Sequence, residues 1–310
     1  MTAISWLPHR FRCLDRQMQH PSQPHARRTV AALCRRSVLV ATAGFLALAL
    51  IAAVYLLAPA RSGQRAESGT SRGIDTFANS APFDAGLDAA IDAIIDDNSQ
   101  YQVGVALMTA VGGDLHQYGV EEPFEAASTA KILTAAAYYH LVEEGSASLD
   151  DPLGAFTSEF QIQAMVQDSN NESWSLLMDA VGLSELSEYA ASIDITYDPE
   201  VNTLSTAHMA HMLAELFEGR LLDQEHTEQL LSYMQDTNYE HLIPAAVPDG
   251  VTVFHKYGLL DDELHDAAIL SMSAGSFVLV VFTKGADLSD VPERTVLIQD
   301  ITKAVSAALA

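Results

Sequence analysis

The chain has 310 residues, of which 49% are apolar and 18% are charged; this composition excludes a disordered or collagen-like protein, and the length allows about two domains. Residues 1–65 carry nine basic side chains and one acidic side chain, whereas residues 66–310 carry seven basic and 40 acidic ones. The second segment therefore has a net charge of −33 and repels nucleic-acid phosphates, which excludes nucleic acid as its partner.

The first predicted element is an apolar stretch from Ser37 to Ala60, 24 residues without a charge. As a helix it would span about 36 Å, more than the ~30 Å hydrocarbon core of a bilayer. Seven arginines precede it and only Arg61 and Arg65 follow closely, so the positive-inside rule predicts a cytoplasmic basic tail (1–36), a transmembrane anchor and an extracytoplasmic body. A cleaved signal peptide is the alternative, because Ala58-Pro59-Ala60 fits the cleavage pattern. However, the basic segment 1–36 and the apolar segment 37–60 are both longer than the corresponding regions of signal peptides.

Residues 61–81 are polar and rich in Ser and Gly, which predicts a flexible linker before the body of residues 82–310. Both cysteines, Cys13 and Cys34, precede the body, so a disulfide scaffold and a Cys-ligated zinc site are excluded there. The chain shows neither a nucleotide-binding glycine pattern nor a metal-binding histidine pattern. We expect a monomer that uses no metal ion and no cofactor.

The predicted elements of the body run in the order helix, two strands, a block of helices, three strands and a final helix. Apolar spacing predicts the first helix over 87–95, and a Gly112-Gly113-Asp114 turn joins the two strands that follow. A long helix is predicted from Ser128 to Gly145. The later helices are predicted at Glu172–Ala180, Ser184–Ala191, Thr206–Glu218, Gln224–Gln235 and Val291–Leu309, and the later strands at Val251–His255, Asp266–Met272 and Ser276–Thr283. This order predicts an α+β fold, with one antiparallel sheet made of the N- and C-terminal strands and the helical block apart from it.

The first motif is Ser128-Thr129-Ala130-Lys131 at the start of the long helix. Serine at a helix start is ordinarily an N-cap. Lys131, however, lies one turn further along the same helix face, where an amine of lowered pKa could accept the proton of the Ser128 hydroxyl. Only four lysines occur in the chain. Their scarcity makes the pairing of Ser128 with Lys131 informative and favours a nucleophilic serine.

Two further motifs follow at a distance. Ser169-Asn170-Asn171 lies between two predicted helical segments, where such residues also form turns and N-caps. His255-Lys256-Tyr257-Gly258 lies on an apolar strand, where a lone lysine also protects a sheet edge. Two of the four lysines thus fall within candidate motifs.

In this order the three motifs resemble those of the penicillin-recognising serine hydrolases, specifically the class A β-lactamases, whose signatures are S-x-x-K, S-D-N and K-T-G. The resemblance covers the whole body and implies the β-lactamase/transpeptidase-like fold. It also implies that Ser128 is the acylated nucleophile, that Lys131 belongs to its proton relay, and that Ser169 passes a proton to the leaving nitrogen. The oxyanion would be held by backbone N–H groups of Ser128 and of the closing strand.

The resemblance further implies that Asn171 binds the substrate's amide side chain and that Lys256 with Gly258 holds the substrate carboxylate. Two positions depart from the family pattern. Asn170 replaces an aspartate, which removes a carboxylate, and Tyr257 replaces a small hydroxyl residue, which crowds the place of the substrate carboxylate.

The segment Asp198-Pro199-Glu200-Val201-Asn202 resembles the E-P-E-L-N sequence of the family's omega loop. It implies that Asp198, one methylene shorter than the family's glutamate, activates the deacylating water, with Glu200 as the other candidate. If this base is misplaced, Ser128 would be acylated but would release its product slowly.

Together these residues predict a membrane-anchored, extracytoplasmic serine hydrolase that acts on β-lactams or related amides. Its partners would be a small-molecule or cell-wall peptide substrate and, through residues 37–60, the membrane. Two alternatives remain open: a D,D-peptidase acting on peptidoglycan stem peptides, and a catalytically degenerate module that binds the cell wall or β-lactams.

Overall fold

Strands from both ends of the body form one sheet. The computed structural model describes residues 83–309, so the predicted tail, anchor and linker lie outside the described residues. Among residues 83–309, no helix is both long enough and apolar enough to cross a membrane. The α-helices of this region are α1 (Ala85–Asp97), α2 (Lys131–Glu143), α3 (Ser158–Val166), α4 (Asn171–Val181), α5 (Leu183–Ser192), α6 (Thr206–Phe217), α7 (Gln224–Tyr233) and α8 (Val291–Leu309). The strands are β1 (Gln102–Thr109), β2 (His116–Gly119), β3 (Phe124–Glu125), β4 (Pro152–Leu153), β5 (Phe156–Thr157), β6 (Thr203–Leu204), β7 (Thr252–Leu260), β8 (Glu263–Met272) and β9 (Gly275–Lys284).

The main sheet has the strand order β2-β1-β9-β8-β7, and each neighbouring pair is antiparallel. β1 pairs with β9 along its whole length, from Gln102↔Lys284 to Thr109↔Phe277. β7 is the strand at one edge of this sheet, and it lies against the short 3₁₀-helix Ala127–Ala130. The sheet edge therefore meets the segment that carries the first predicted motif.

Two helices cover one face of the sheet with apolar side chains. Leu87 and Ile91 of α1 and Ile301 and Val305 of α8 pack in one buried cluster with Val105 of β1. Burial stabilises the fold by about 1.5–3 kcal/mol for each large apolar side chain. α6 contacts β1, β8 and β9 as well. The sheet therefore forms a rigid base for the residues at its edge.

α2 is the central helix of the helical block. Residues 131–139 are buried without interruption, as expected for a helix that is apolar nearly all round. α3, α4, α5 and α7 all contact it. Because the 3₁₀-helix Ala127–Ala130 runs directly into α2, Ser128 and Lys131 are held by the most buried helix of the block.

The predicted α+β fold is confirmed, with the N- and C-terminal strands in one antiparallel sheet and the helices grouped beside it. The structure excludes the N-cap alternative for Ser128 and extends one predicted strand. Ser128 is not an N-cap: it lies inside the 3₁₀-helix, and neither that helix nor α2 has a side-chain cap at its start. β7 continues beyond the predicted end at His255 to Leu260, because its backbone stays paired with β8.

Candidate active site

The three predicted motifs meet at the Ser169 side chain. Lys131 Nζ donates to the Ser169 carbonyl at 2.7 Å, to Ser169 Oγ at 3.1 Å and to Asn171 Oδ1 at 2.7 Å. Lys256 Nζ donates to the same Ser169 Oγ at 3.0 Å. Residues that are far apart in the sequence thus form one hydrogen-bonded cluster, made of Lys131, Ser169, Asn171 and Lys256.

The turn that carries Ser128 is shaped by its neighbours. Ala127 has a φ of +49°, in the left-handed region that costs a non-glycine residue about 1–2 kcal/mol. Gly258 of β7 comes so close that a Cβ there would lie 3.0 Å from Ala127 Cβ and 3.2 Å from the Ser128 nitrogen. Gly258, predicted as a substrate-binding residue, therefore lets the sheet edge approach the half-buried Ser128.

The buried position of Lys131 affects its protonation. Its side chain is fully buried, and this burial, followed by the nearby positive charge of Lys256, holds the pKa of the Lys131 amine well below its usual value. A neutral amine can accept a proton, and Lys131 lies three residues after Ser128 on the same helical path. The Nζ atom also lies 5.0 Å from the centre of the Trp174 ring.

Lys256 is buried as completely as Lys131. Burial lowers its pKa to about 7, although the Asp266 carboxylate acts in the opposite direction. Its Nζ donates to the carbonyl of Tyr257 at 3.1 Å and lies 4.1 Å from the centre of the Tyr257 ring. The neighbouring aromatic side chain therefore covers the ammonium group.

Asn170, the departure from S-D-N, is the N-cap of α4. Its Oδ1 accepts from the Ser173 N–H at 2.9 Å. Aspartate and asparagine cap helices about equally well, so α4 retains its N-cap although Asn170 replaces the family's aspartate. Ser169 precedes the cap with a φ of +55°, a backbone conformation that the start of α4 and the two lysines hold in place.

The omega-loop segment approaches the Ser128 turn through Asn202, not through Asp198. The Asp198 side chain is exposed, and its carboxylate accepts from the backbone N–H of Glu200 at 2.9 Å, within its own turn. Asn202 is buried: its Nδ2 donates to the Ala127 carbonyl at 3.0 Å, and its Oδ1 accepts from the Tyr197 hydroxyl at 3.0 Å. The sequence alone assigns Asn202 no function, although its place as the last residue of the pentapeptide marks it as a candidate.

A polar network around the buried His255 is not predicted by any of the sequence motifs. His255 Nδ1 lies 2.9 Å from Asp266 Oδ1, and its Nε2 lies 3.1 Å from Glu240 Oε1 and 2.9 Å from Thr237 Oγ1. Burial lowers the pKa of His255, but the Asp266 and Glu240 carboxylates outweigh it and raise the pKa to about 9. The signal was cross-strand register, since Ala268 faces His255 and Asp266 is two residues away on the same face of β8.

One group among the described residues could hold a metal ion, and it lies away from Ser128. Glu143, at the end of α2, lies with Asp223 and His226 near the start of α7. Glu143 Oε1 already accepts from the Asp223 N–H at 2.9 Å and lies 2.8 Å from His226 Nδ1. Mutual hydrogen bonds account for the close approach of these three residues.

The comparisons with known proteins fit this arrangement. Residues 86–309 match the model of the beta-lactamase enzyme family, and residues 2–78 match the model of a family of unknown function (DUF6256). A beta-lactamase of Proteus vulgaris is 27% identical, with the alignment covering 61% of this chain and 83% of that protein.

Two solved structures illustrate the likeness of the fold. A mutant of PBP-A, described as an acyl-enzyme complex with penicillin G, has a TM-score of 0.66 at 22% identity and covers 72% of this chain and 96% of its own. A beta-lactamase from Sphaerobacter thermophilus has a TM-score of 0.64 at 25% identity and covers 73% of this chain and 97% of its own. Since the family model spans most of the residues, the chain belongs to the beta-lactamase enzyme family and is a serine hydrolase of the β-lactamase-like kind.

Proposed function

We propose that the chain hydrolyses β-lactams or related amides through an acyl-enzyme at Ser128. The observation that carries this proposal is the hydrogen-bonded cluster beside the Ser128 turn, in which one serine hydroxyl, that of Ser169, accepts from two buried lysines. A buried amine with a lowered pKa supplies the base, and a serine hydroxyl next to it supplies a path for the proton.

The proposed reaction has two steps. In the first, Ser128 Oγ attacks the carbonyl carbon of the substrate while Lys131 accepts the hydroxyl proton, and the new C–O bond replaces the C–N bond. The proton then passes through Ser169 to the leaving nitrogen. In the second step, water attacks the ester, releases the acid and restores the Ser128 hydroxyl. Backbone N–H groups of Ser128 and β7 would hold the negative oxygen in both steps.

The exposed position of Asp198 favours a second candidate function, in which the acyl-enzyme persists. A carboxylate that accepts backbone N–H groups in an exposed turn is poorly placed to activate a water at Ser128. Slow deacylation is the behaviour of a D,D-peptidase-like or β-lactam-binding module. The two candidates share acylation of Ser128 and differ in the fate of the ester.

The test combines labelling with turnover. The full-length chain in detergent is incubated with a fluorescent penicillin and with a chromogenic cephalosporin, beside Ser128→Ala and a matched control, Ser146→Ala, at an exposed serine after α2. We expect labelling and turnover in wild type and Ser146→Ala, and neither in Ser128→Ala. Stable labelling without turnover would support the second candidate. Labelling that survives in Ser128→Ala would overturn the choice of nucleophile.

We also propose that residues 37–60 anchor the protein in the membrane with the body outside the cytoplasm. The uncharged length of this segment and the seven arginines before it support the proposal. Protease added to intact cells should remove the body and leave the tail, and alkaline carbonate should not extract the full-length chain. A mature N-terminus near residue 61 would instead indicate a cleaved signal peptide.

A further inference from the structure

An aromatic surface lies beside the Lys256 end of the hydrogen-bonded cluster. Tyr257 is half-buried, and its ring covers the Lys256 ammonium at 4.1 Å. The Tyr239 ring lies 4.8 Å from the Tyr257 ring at an interplanar angle of 35°. We call Tyr257, Tyr239 and the exposed His241, whose ring meets Tyr239 edge-on at 5.2 Å, the aromatic strip.

Lys256 is unavailable to an incoming anion. Its side chain is 0% exposed, and its Nζ already donates to Ser169 Oγ and to the Tyr257 carbonyl. Any carboxylate that reached this ammonium would have to displace the Tyr257 ring, which packs against the Tyr239 ring.

No other lysine or arginine of the described region replaces Lys256 at this surface. Lys131, the other lysine of the cluster, is itself buried. Outside the cluster, residues 83–309 contain four basic residues, and each pairs with carboxylates: Arg220 with Glu215 and Glu218, Lys284 with Asp262 and Glu263, Arg294 with Asp290, and Lys303 with Asp300.

The exposed charges that lie near the aromatic strip are negative, and the one protonated group beside them, His255, is buried and pairs with Asp266 and Glu240. The Asp168 carboxylate acts on the Tyr257 hydroxyl, and the exposed Glu240 follows Tyr239 in the chain. The face of an aromatic ring is also the negative end of its quadrupole, so it repels anions and stacks with other rings. Charge and shape therefore disfavour a carboxylate and favour an uncharged aryl or alkyl group at this position.

We infer that Tyr257 selects substrates whose leaving group carries no carboxylate, so that the preferred acyl donors are amides or esters with an uncharged, apolar or aromatic leaving group. This inference rests on the proposed acylation of Ser128 and specifies its substrate class. The reaction remains the one described above: the bond between Ser128 Oγ and the acyl carbon forms, the bond to the leaving group breaks, and the leaving group takes the proton.

Two esters of phenylacetylglycine test the inference, because they differ only in a carboxylate: one releases phenol and the other releases 3-hydroxybenzoate. kcat/KM is measured for both with the full-length chain in detergent, at about 0.5 M salt so that the charge of the whole domain is screened. We expect wild type to prefer the ester without the carboxylate by about tenfold or more, and Ser128→Ala to hydrolyse neither.

Two substitutions of Tyr257 distinguish the effect of its aromatic ring on selectivity from the effect of its hydroxyl group. Tyr257→Thr uncovers Lys256 and should move the kcat/KM ratio at least tenfold toward the carboxylated ester, whereas Tyr257→Phe keeps the ring and should keep the ratio of wild type. A wild-type preference for the carboxylated ester would overturn the inference, and so would a ratio that Tyr257→Thr leaves unchanged. If Ser128→Ala hydrolysed both esters as wild type does, the proposed function itself would fail, which is a different result.

Discussion

The Ser169 hydroxyl accepts hydrogen bonds from both buried lysines of the site. Two amines that would repel each other as ammonium ions both lie within hydrogen-bonding distance of it, 3.1 Å for Lys131 and 3.0 Å for Lys256. Burial and mutual repulsion favour the loss of a proton from this pair. In the proposed reaction this pair would supply the base, so that no histidine or carboxylate is needed at that position.

Removing one lysine should change the titration of the other. Because the positive charge of Lys256 lowers the pKa of Lys131, Lys256→Gln should raise that pKa and move the acid limb of Ser128 acylation to higher pH. The measurement is the rate of acylation by a penicillin between pH 5 and 9. Lys303→Gln, on the exposed side of α8, is the control and should keep the wild-type profile. An acid limb at unchanged or lower pH in Lys256→Gln would contradict the assignment of Lys131 as base.

His255 should carry a proton at neutral pH. Its folded pKa of about 9 lies above the ordinary value of 6.5, so its stabilising contribution is complete below about pH 6.5 and is lost as the pH rises through 9. A titration of the His255 ring followed by NMR, assigned with His255→Gln, checks the value. Glu240→Gln removes one of the raising carboxylates and should lower the midpoint; an unchanged midpoint would exclude that contact.

At the scale of elements, the start of α4 decides where Ser169 and Asn171 lie. The Asn170 cap fixes the first turn of the helix, and the residues on both sides of the cap contact Lys131. The second motif is therefore a helix start that also serves the site. The two functions are compatible because Asn170 caps the helix, whereas Ser169 and Asn171 contact the lysines.

Substitutions of the N-cap residue Asn170 should lower the free energy of unfolding by different amounts. Asn170→Ala should lower the free energy of unfolding by about 1 kcal/mol, whereas Asn170→Asp, which restores S-D-N, should stay within about 0.5 kcal/mol of wild type. Urea denaturation monitored by circular dichroism gives both values. Equal losses in the two variants would mean that the amide group, and not its capping oxygen, is what α4 requires.

The order of the elements was predictable from the sequence, while the environment of each site residue was not. The Gly112-Gly113-Asp114 turn predicts the hairpin, and apolar periodicity predicts the long helices. The spacing of Ser128 and Lys131 predicts one shared helix, whereas Ser128 lies in the 3₁₀-helix that precedes α2. The exposure of Asp198, the link from Asn202 to Ala127 and the contact of His255 with Asp266 depend on loop paths and strand register, which a single sequence leaves open.

At the scale of the whole molecule, charge governs the approach of substrates. Residues 83–309 contain 38 acidic and six basic residues, and an anionic β-lactam must enter this field while Lys256 stays covered. We expect kcat/KM for an anionic β-lactam to rise about threefold or more between 20 and 300 mM salt, because salt screens the repulsion. An uncharged ester, as the control, should show little change. A value for the β-lactam that falls with salt would indicate local attraction strong enough to outweigh the field.

The pairing of β1 with β9 has a consequence for the folding of the newly synthesised chain. The two strands lie near opposite ends of the described residues, so the sheet cannot close until the last strand has been synthesised. Such long-range pairing folds slowly, because a large loop must close before its contacts stabilise it. A nascent chain of this topology therefore cannot complete the sheet while β9 is still being made, and the export that we propose for the body would act on a chain whose sheet is still open.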